Sequence, residues 1–470
     1  MRLIIGLVAF LLVATVARSC VSGSSSSKAL AAYKANLRAR GEKLTAKEFG
    51  FPRPLETNGS LNRLLSSVNL ISTAKLDPGL LELFHFVSPG RVQVSWALGQ
   101  PPLNSSRGGS TNVTWKVFSE HFTLSADALQ GIRDAAQNPP SYFFNDPTDF
   151  FNQPQSPFVL LRTAAQYLSG DAIAALHAHD LVRAQADLHA LTKLALFHQE
   201  DLALVSQMIR IAIAGLGLAV TWEALQAPGW NEESLAALQR DWESVDLTDA
   251  IERGMTGERA SGEAAFSFMR SAGAAERMKM FGANDYFEQF VLMTLWNADQ
   301  DEMFFLEFHQ RSLDSIRKAR NGASWQTVKL EFGSNNLSFD KALSGPMGGA
   351  RYRISAINIP NIMKAAHVVA RNETQRRLTI AAIALERYRL HHGQSPPDLD
   401  ALVPQFLSAV PVDPMSAMPL GYRRNIDGSF TLYSAGEDGR DDGGDPSSQG
   451  TGITFDGWSG KDEVWPLPAQ

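Results

Sequence analysis

The sequence predicts a predominantly helical α+β protein: a central helical bundle, then a C-terminal module in which one long helix packs on a small antiparallel sheet. Three observations lead there. From Phe158 to about Lys318 apolar residues recur at helical spacing. From Asn361 to His392 a second helical stretch carries clear start and stop signals. Beyond Pro404 short alternating segments are separated by turn residues.

The chain has 470 residues, 43 basic and 49 acidic side chains, 44% apolar residues and one cysteine, Cys20. That apolar fraction supports real cores and excludes a wholly disordered or collagen-like chain. A formal charge of −6 gives no global electrostatic reason to bind nucleic acid or an anionic membrane. One cysteine excludes an internal disulfide framework and any cysteine-rich metal cluster.

The elements follow in order. Arg2 precedes the uncharged apolar segment Leu3 to Ala17, and then come Arg18, Ser19, Cys20 and a Gly/Ser run. Fifteen residues are short for a span of about twenty and right for the apolar region of an export signal, so residues 1–19 read as a signal peptide or N-terminal anchor. Three fates stay open: cleavage after Ala17, lipidation of Cys20, or retention as an anchor. Residues 20–60 read as linker plus a short amphipathic helix, with Leu30, Tyr33 and Leu37 on one side and Gly41 ending it. Phe51 to Ser66, with Pro52, Pro54 and Asn58-Gly59, reads as loop.

Residues 61–150 are expected to form a small β-containing region. Arg91 to Leu98 and Thr111 to Phe118 alternate as two strands of a hairpin, and Asn138 to Pro157 is a proline-rich linker. Residues 151–350 form the helical domain. Within it, a helical pair breaks near Asp180, and Asn231 or Ser234 caps a further helix. Glu200 to Leu225 is the most apolar internal segment, but its uncharged part after Arg210 is too short to span a bilayer and reads as a core helix. Lys329 to Ala350 loses helical periodicity. Residues 360–470 are the C-terminal domain. There Leu378, Ala381, Leu385 and Tyr388 form the apolar stripe, Glu373 and Arg377 pair on the exposed side, Gly393 takes the C′ place and Ser395 caps a second short helix.

The string IAAIALERYRLHHGQSPPDLDALVP from Ile380 to Pro404, then VPVDPMSAMPLGYRR and FTLYSAGEDGRDDGGD, resembles the C-terminal domain of type II secretion major pseudopilins. That resemblance implies a long helix, a Pro-rich turn, a small antiparallel sheet and a calcium-binding acidic loop. It covers roughly the last 100 residues. In a pseudopilin the helix follows directly from an N-terminal leader. Here it begins near residue 361, with Asn372, Glu373 and Arg376 where a membrane-embedded half would lie. The whole chain also resembles a family of uncharacterised exported bacterial proteins with a Tyr…Leu-x-Ala-x-Gly-Glu-x-Leu segment, matched here by Tyr33 to Leu44, which implies a location and a domain plan but no reaction.

The acidic loop is the leading candidate site. Asp438, Asp441, Asp442, Ser434 and Asp445, with Glu437, offer hard oxygen ligands suited to Ca²⁺, and Gly436, Gly439, Gly443 and Gly444 let backbone carbonyls turn inward. The competing reading is a solvated acidic turn. In the helical block His177, His179, His189 and His198, with Glu200 and Asp201, sketch a metal or hydrolytic site, but no pair has the HExxH spacing, and surface or interhelical histidines are the simpler reading. Ser315 to Lys318 matches SxxK without its companion motifs, and Glu258 and Glu263 have no partner that makes a glycosidase pair.

The expectation is therefore a non-enzymatic exported or membrane-tethered protein, periplasmic or in the cell envelope, with no catalytic residues. Its C-terminal module would serve interaction or assembly with other envelope or secretion-related proteins, and its N-terminus would meet the membrane. The alternative is an extracytoplasmic hydrolase or ligand-binding protein with its site between His177 and Asp201. A minor pseudopilin is a third reading, which burial of the first half of the Asn361 to His392 helix would count against.

Overall fold

The computed structural model describes residues 25–50, 59–73, 115–140, 157–282, 286–345, 347–359, 362–447 and 461–465. Helix α1 covers 25–39, and Gly41 turns the chain at φ +86°. After α2 (Ala46–Phe49), α3 (Gly59–Thr73), α4 (Trp115–Leu124) and α5 (Ala126–Ala136) form a first helical group. The bundle follows: α6 (Phe158–His177), α7 (Leu181–Leu194), α8 (Leu204–Gln226), α9 (Glu232–Glu243), α10 (Leu247–Ser271), α11 (Ala274–Phe281), α12 (Tyr286–Leu295), α13 (Ala298–Arg320) and α14 (Trp325–Ser344). Short α15 (Gly348–Arg351) and α16 (Arg353–Asn358) lead to α17 (Ile362–His392), then to β1 (Gly421–Arg424), β2 (Phe430–Ser434) and β3 (Glu463–Trp465). The sheet is antiparallel in the order β1-β2-β3, with Tyr422 opposite Leu432 and Leu432 opposite Trp465. The predominantly helical α+β class is as the sequence predicts.

Four local expectations are corrected. Trp115 to Phe118 belongs to α4 rather than to a strand, and Phe122, buried at 2% exposure, falls on the same helix; 74–114, with the first proposed strand, lies outside the described residues. Gly59 to Ser66, read as the end of a loop, is helical, because Leu61, Leu64, Val68 and Ile71 recur at helical spacing and all are buried in α3, while 51–58 lies outside the described residues. Lys329 to Ser344 stays helical because Trp325, Val328, Phe332 and Asn335 face the core, while the Gly and Ser that blurred the pattern lie largely on the outer face. Ser395 caps nothing: its hydroxyl donates to Gly428 O, and Asp398 accepts from Ala401 N over a short 3₁₀ turn instead.

Helix boundaries elsewhere follow side-chain chemistry. Asp180 accepts from Arg183 N, Asn231 from Ser234 N and Asp246 from Asp249 N, each satisfying an amide that the first helical turn leaves open. Helix α8 is long and apolar enough to cross a membrane by length and composition. Here it packs against α6, α7, α10 and α17 as a core helix, with Ile211, Ala214, Leu218 and Trp222 buried. The α10–α13 contact is close: a Cβ at Gly262 would stand 2.1 Å from the Phe305 ring, so only glycine lets the two helices meet there.

One hydrophobic cluster runs from Leu30 through the bundle to Trp465. Helix α17 joins the C-terminal module to the bundle by packing on α8, α9 and α10. Ala365, Ala366 and Val369 in its first half are buried, and Glu373, expected on the exposed side, is only 2% exposed. Its partner Arg377 is at 2.7 Å as expected, but Arg376 joins them and bonds Trp242 O, because this face meets α9 rather than solvent. Trp465 meets Trp222 edge to face at 5.9 Å, and Gln239 donates to Phe406 O at 2.8 Å, so sheet and turn are also fixed to the bundle.

Candidate functional site

The acidic loop leaves β2 at Ser434. Its glycines Gly436, Gly439, Gly443 and Gly444 all have φ between +62° and +79°, the left-handed region open to glycine. The backbone turns its amides inward, where carbonyls were expected. The buried carboxylate of Asp462 accepts from the N–H groups of Asp442 at 3.1 Å, Gly444 at 2.8 Å and Asp445 at 3.0 Å. Burial nonetheless pushes the Asp462 carboxyl upward, against those three bonds.

The predicted ligands separate into two sets. Ser434 is fully buried, and its hydroxyl donates to Asp413 Oδ1 at 2.8 Å. Asp445 accepts from Ser447 N and pairs with Lys461 at 2.7 Å, and that ammonium draws its carboxyl down to about 2. Neither side chain is disposed toward an ion in the loop. Asp438 accepts from Arg440 N, Asp441 accepts from Gly443 N and from the Tyr433 hydroxyl, and Asp441 and Asp442 are exposed. These three keep a hard-oxygen character suited to calcium. Among the described residues no group of three or more His, Cys, Asp or Glu converges as an ion site.

Glu437 turns away from the loop altogether. It accepts from His367 Nε2 at 2.6 Å and pairs with Arg371, both on α17, while its carbonyl accepts from Gln326 on α14. Burial opposes ionisation of its carboxyl, but the His367 and Arg371 contacts outweigh burial and lower it. His367 stacks on Trp325 at 5.7 Å. The loop base is therefore clamped to both helices.

Asp413, only 1% exposed, organises the turn beneath. Its carboxylate accepts from Met415 N, Ser416 Oγ, Ser434 Oγ and Ala435 N at 2.8–3.0 Å. Sequence reasoning marked this segment as a turn and missed that role. The Pro-x-Asp-Pro spacing, with a serine three residues after the aspartate, is the signal that carries it. Between this turn and the bundle lies a cleft of about 50 Å³ lined by Ile251, Ile316, Trp325, Val369 and Val412, with Glu373 and Arg377 at one side. That volume holds a few waters and falls well short of the roughly 300 Å³ at which small-molecule sites begin.

The histidines of the bundle disperse. His189 bonds Asp241 on α9 at 2.7 Å. His198, 1% exposed, lies 3.8 Å from Asp201, and burial, with Arg210 nearby, draws its ring down to about 4. His177 and His179 stand at the end of α6. Ser206 donates to Asp201 at 2.8 Å, and both side chains are buried. In the SxxK segment Ser315 and Lys318 both bind Glu331, and Glu263 pairs with Lys34.

Buried ion clusters around Glu42 and around Arg133 went unseen in the sequence. Glu42, 8% exposed, accepts from Arg259 at 2.8 Å, Gln310 at 3.0 Å and Arg317; burial raises its carboxyl, but the two guanidiniums pull it down to about 2. Arg133 binds both Asp171 and Asp187, where burial and then Asp171 hold the Asp187 carboxyl well above its usual range despite the arginine. Both clusters join helices and border no cleft described above.

No protein-family model, curated protein or solved structure matches the chain.

Proposed function

We propose that this chain is a non-enzymatic exported or membrane-tethered scaffold whose C-terminal module presents its acidic loop to another envelope or secretion-related protein, with calcium drawn to Asp438, Asp441 and Asp442, whose carboxylates stand apart here and would close on the ion as it binds. The observation that carries the reading is the attachment of α17. Its first half, where a pseudopilin helix would pack into a pilus, is covered by the chain's own bundle, which speaks against a polymerising role. What the module offers outward is the loop, clamped at its base through Glu437 and fixed from within by Asp462. Separation of His189, bonded to Asp241, from His198, buried beside Asp201, supports a binding role over the hydrolase alternative. Calcium would supply charge neutralisation across the three aspartates and stiffen the loop for a partner.

The test is a cross-linked pull-down of the full chain from its native envelope, comparing wild type with Asp441→Ala/Asp442→Ala. A partner captured by wild type and lost with the variant supports the reading. Capture indifferent to the loop counts against it.

A further inference from the structure

The N-terminal segment is electrostatically unlike the rest of the chain. Residues 25–50 carry six basic side chains against two acidic ones, in a protein whose formal charge is −6. Both acids are used internally. Glu42 is buried against Arg259 and Arg317, and Glu48 accepts from Leu44 N at 2.6 Å and from Arg38 at 2.9 Å. Lys34 is spent inward on Glu263 and Glu302. Lys28, Arg38, Arg40, Lys43 and Lys47 are left exposed; Arg40 has a long contact to Asp314 at 3.4 Å, and Lys43 lies over the Phe49 ring.

This charge sits on a rigid mount. Leu30, Leu37 and Leu44 are buried in the body, and the Glu42 cluster pins the turn that follows α1. The outward face of α1 carries Lys28, Ala31, Ala35 and Arg38, all exposed, with Arg38 paired to Glu48 from the segment that follows. Seven residues separate this helix from the end of the apolar segment at Ala17.

We infer that the outer face of residues 28–47 is a membrane-contacting surface that binds the headgroups of anionic phospholipids and sets the orientation of the body on the bilayer. The inference rests on the reading of the N-terminus as a membrane-directed segment and adds a lipid preference to it. Charge selects the occupant: a cationic face on a helix seven residues along the sequence from an apolar segment complements an anionic bilayer surface, where each lysine or arginine strengthens attachment by roughly five-fold. The attraction acts within a Debye length, so salt weakens it.

The test uses the full chain with Cys20→Ser and Ala35→Cys, labelled with a fluorophore at position 35. The protein is reconstituted with vesicles of phosphatidylcholine alone or mixed with phosphatidylglycerol, each carrying a headgroup quencher. Flotation reports attachment and quenching reports contact of α1 with headgroups. Expected is quenching that appears with phosphatidylglycerol, fades at high salt, and is lost in K28Q/K43Q/K47Q, which removes on the order of a hundred-fold of the electrostatic attraction. Among the described residues these three lysines have no ion pair, so the variant should keep the fold, checked by an unchanged Tm. Flotation in both lipids with quenching indifferent to lipid and charge overturns the inference and leaves the anchor standing. Flotation only with phosphatidylglycerol supports the inference and removes the anchor. Flotation with neither overturns both.

Discussion

Replacing Glu42 by glutamine removes the only carboxylate, among the described residues, that binds Arg259, a guanidinium with no solvent exposure. The Glu42 carboxyl is held near 2 against an ordinary 4.5, and at 1.36 kcal/mol per unit that difference is about 3 kcal/mol of native-state stabilisation at neutral pH. Leaving a buried arginine without its counter-charge has a cost of the same size, about 3–5 kcal/mol. The sign follows from a lowered carboxyl: the stabilisation is complete above pH 4.5 and fades as pH falls toward 2. Because Glu42 ties the end of α1 to α10 and α13, the loss should appear as local opening of residues 25–50. Amide hydrogen exchange by mass spectrometry reads it directly. At pH 7 Glu42→Gln should speed exchange across α1 by about 150-fold, the equivalent of 3 kcal/mol, while peptides from α6 to α8 stay unchanged. An increase below about three-fold, or an equal increase throughout the bundle, would refute the idea that this cluster docks the N-terminal helix.

Further outcomes follow from other buried groups. His198 and His309 are both held at about 4 by burial, so each resists protonation in the native state. Stability is complete above pH 6.5 and should fall by about 3 kcal/mol per histidine as pH drops toward 4; urea melts along that range, flatter in His309→Gln, check it. Gly262→Ala places a Cβ against Phe305 and should destabilise by about 1–3 kcal/mol, measured by thermal melts and eased by Phe305→Leu. Asp413→Ala strands Ser434 Oγ and the amides of Met415 and Ala435, with an expected loss of about 3 kcal/mol whether or not calcium is added; an undisturbed Tm would contradict the role given to Asp413.

Legibility in the sequence tracked the range of the interactions. The end of α17 was readable because Gly393 and the final basic turn are local signals, and they stand where expected, with Gly393 at φ +73°. The break near Asp180 and the cap at Asn231, one of two residues at which it was expected, were equally local. What misled was a short pattern with two periods: Val113, Trp115 and Val117 alternate as a strand would, yet from Trp115 the chain is helical, with Phe122 in the core. Glu373 shows the same limit from another side. Its spacing to Arg377 predicted the pair, but only the approach of α9 decides that the pair is buried.

The acidic loop was found by composition, and its internal order was not. Asp462 lies seventeen or more residues beyond the amides it gathers, and no spacing rule connects Glu437 to His367 on α17. Glu42 and Arg259 are 217 positions apart. Such partners become visible only when the fold brings their elements together.

The measurement closest to the central claim is isothermal titration of the full chain with calcium, paired with the envelope pull-down repeated with and without chelator. A scaffold with a calcium-ordered loop predicts heat of binding in wild type, none in Asp441→Ala/Asp442→Ala, and a partner released by chelation. Capture of the same partner by both proteins, with or without calcium, would contradict it.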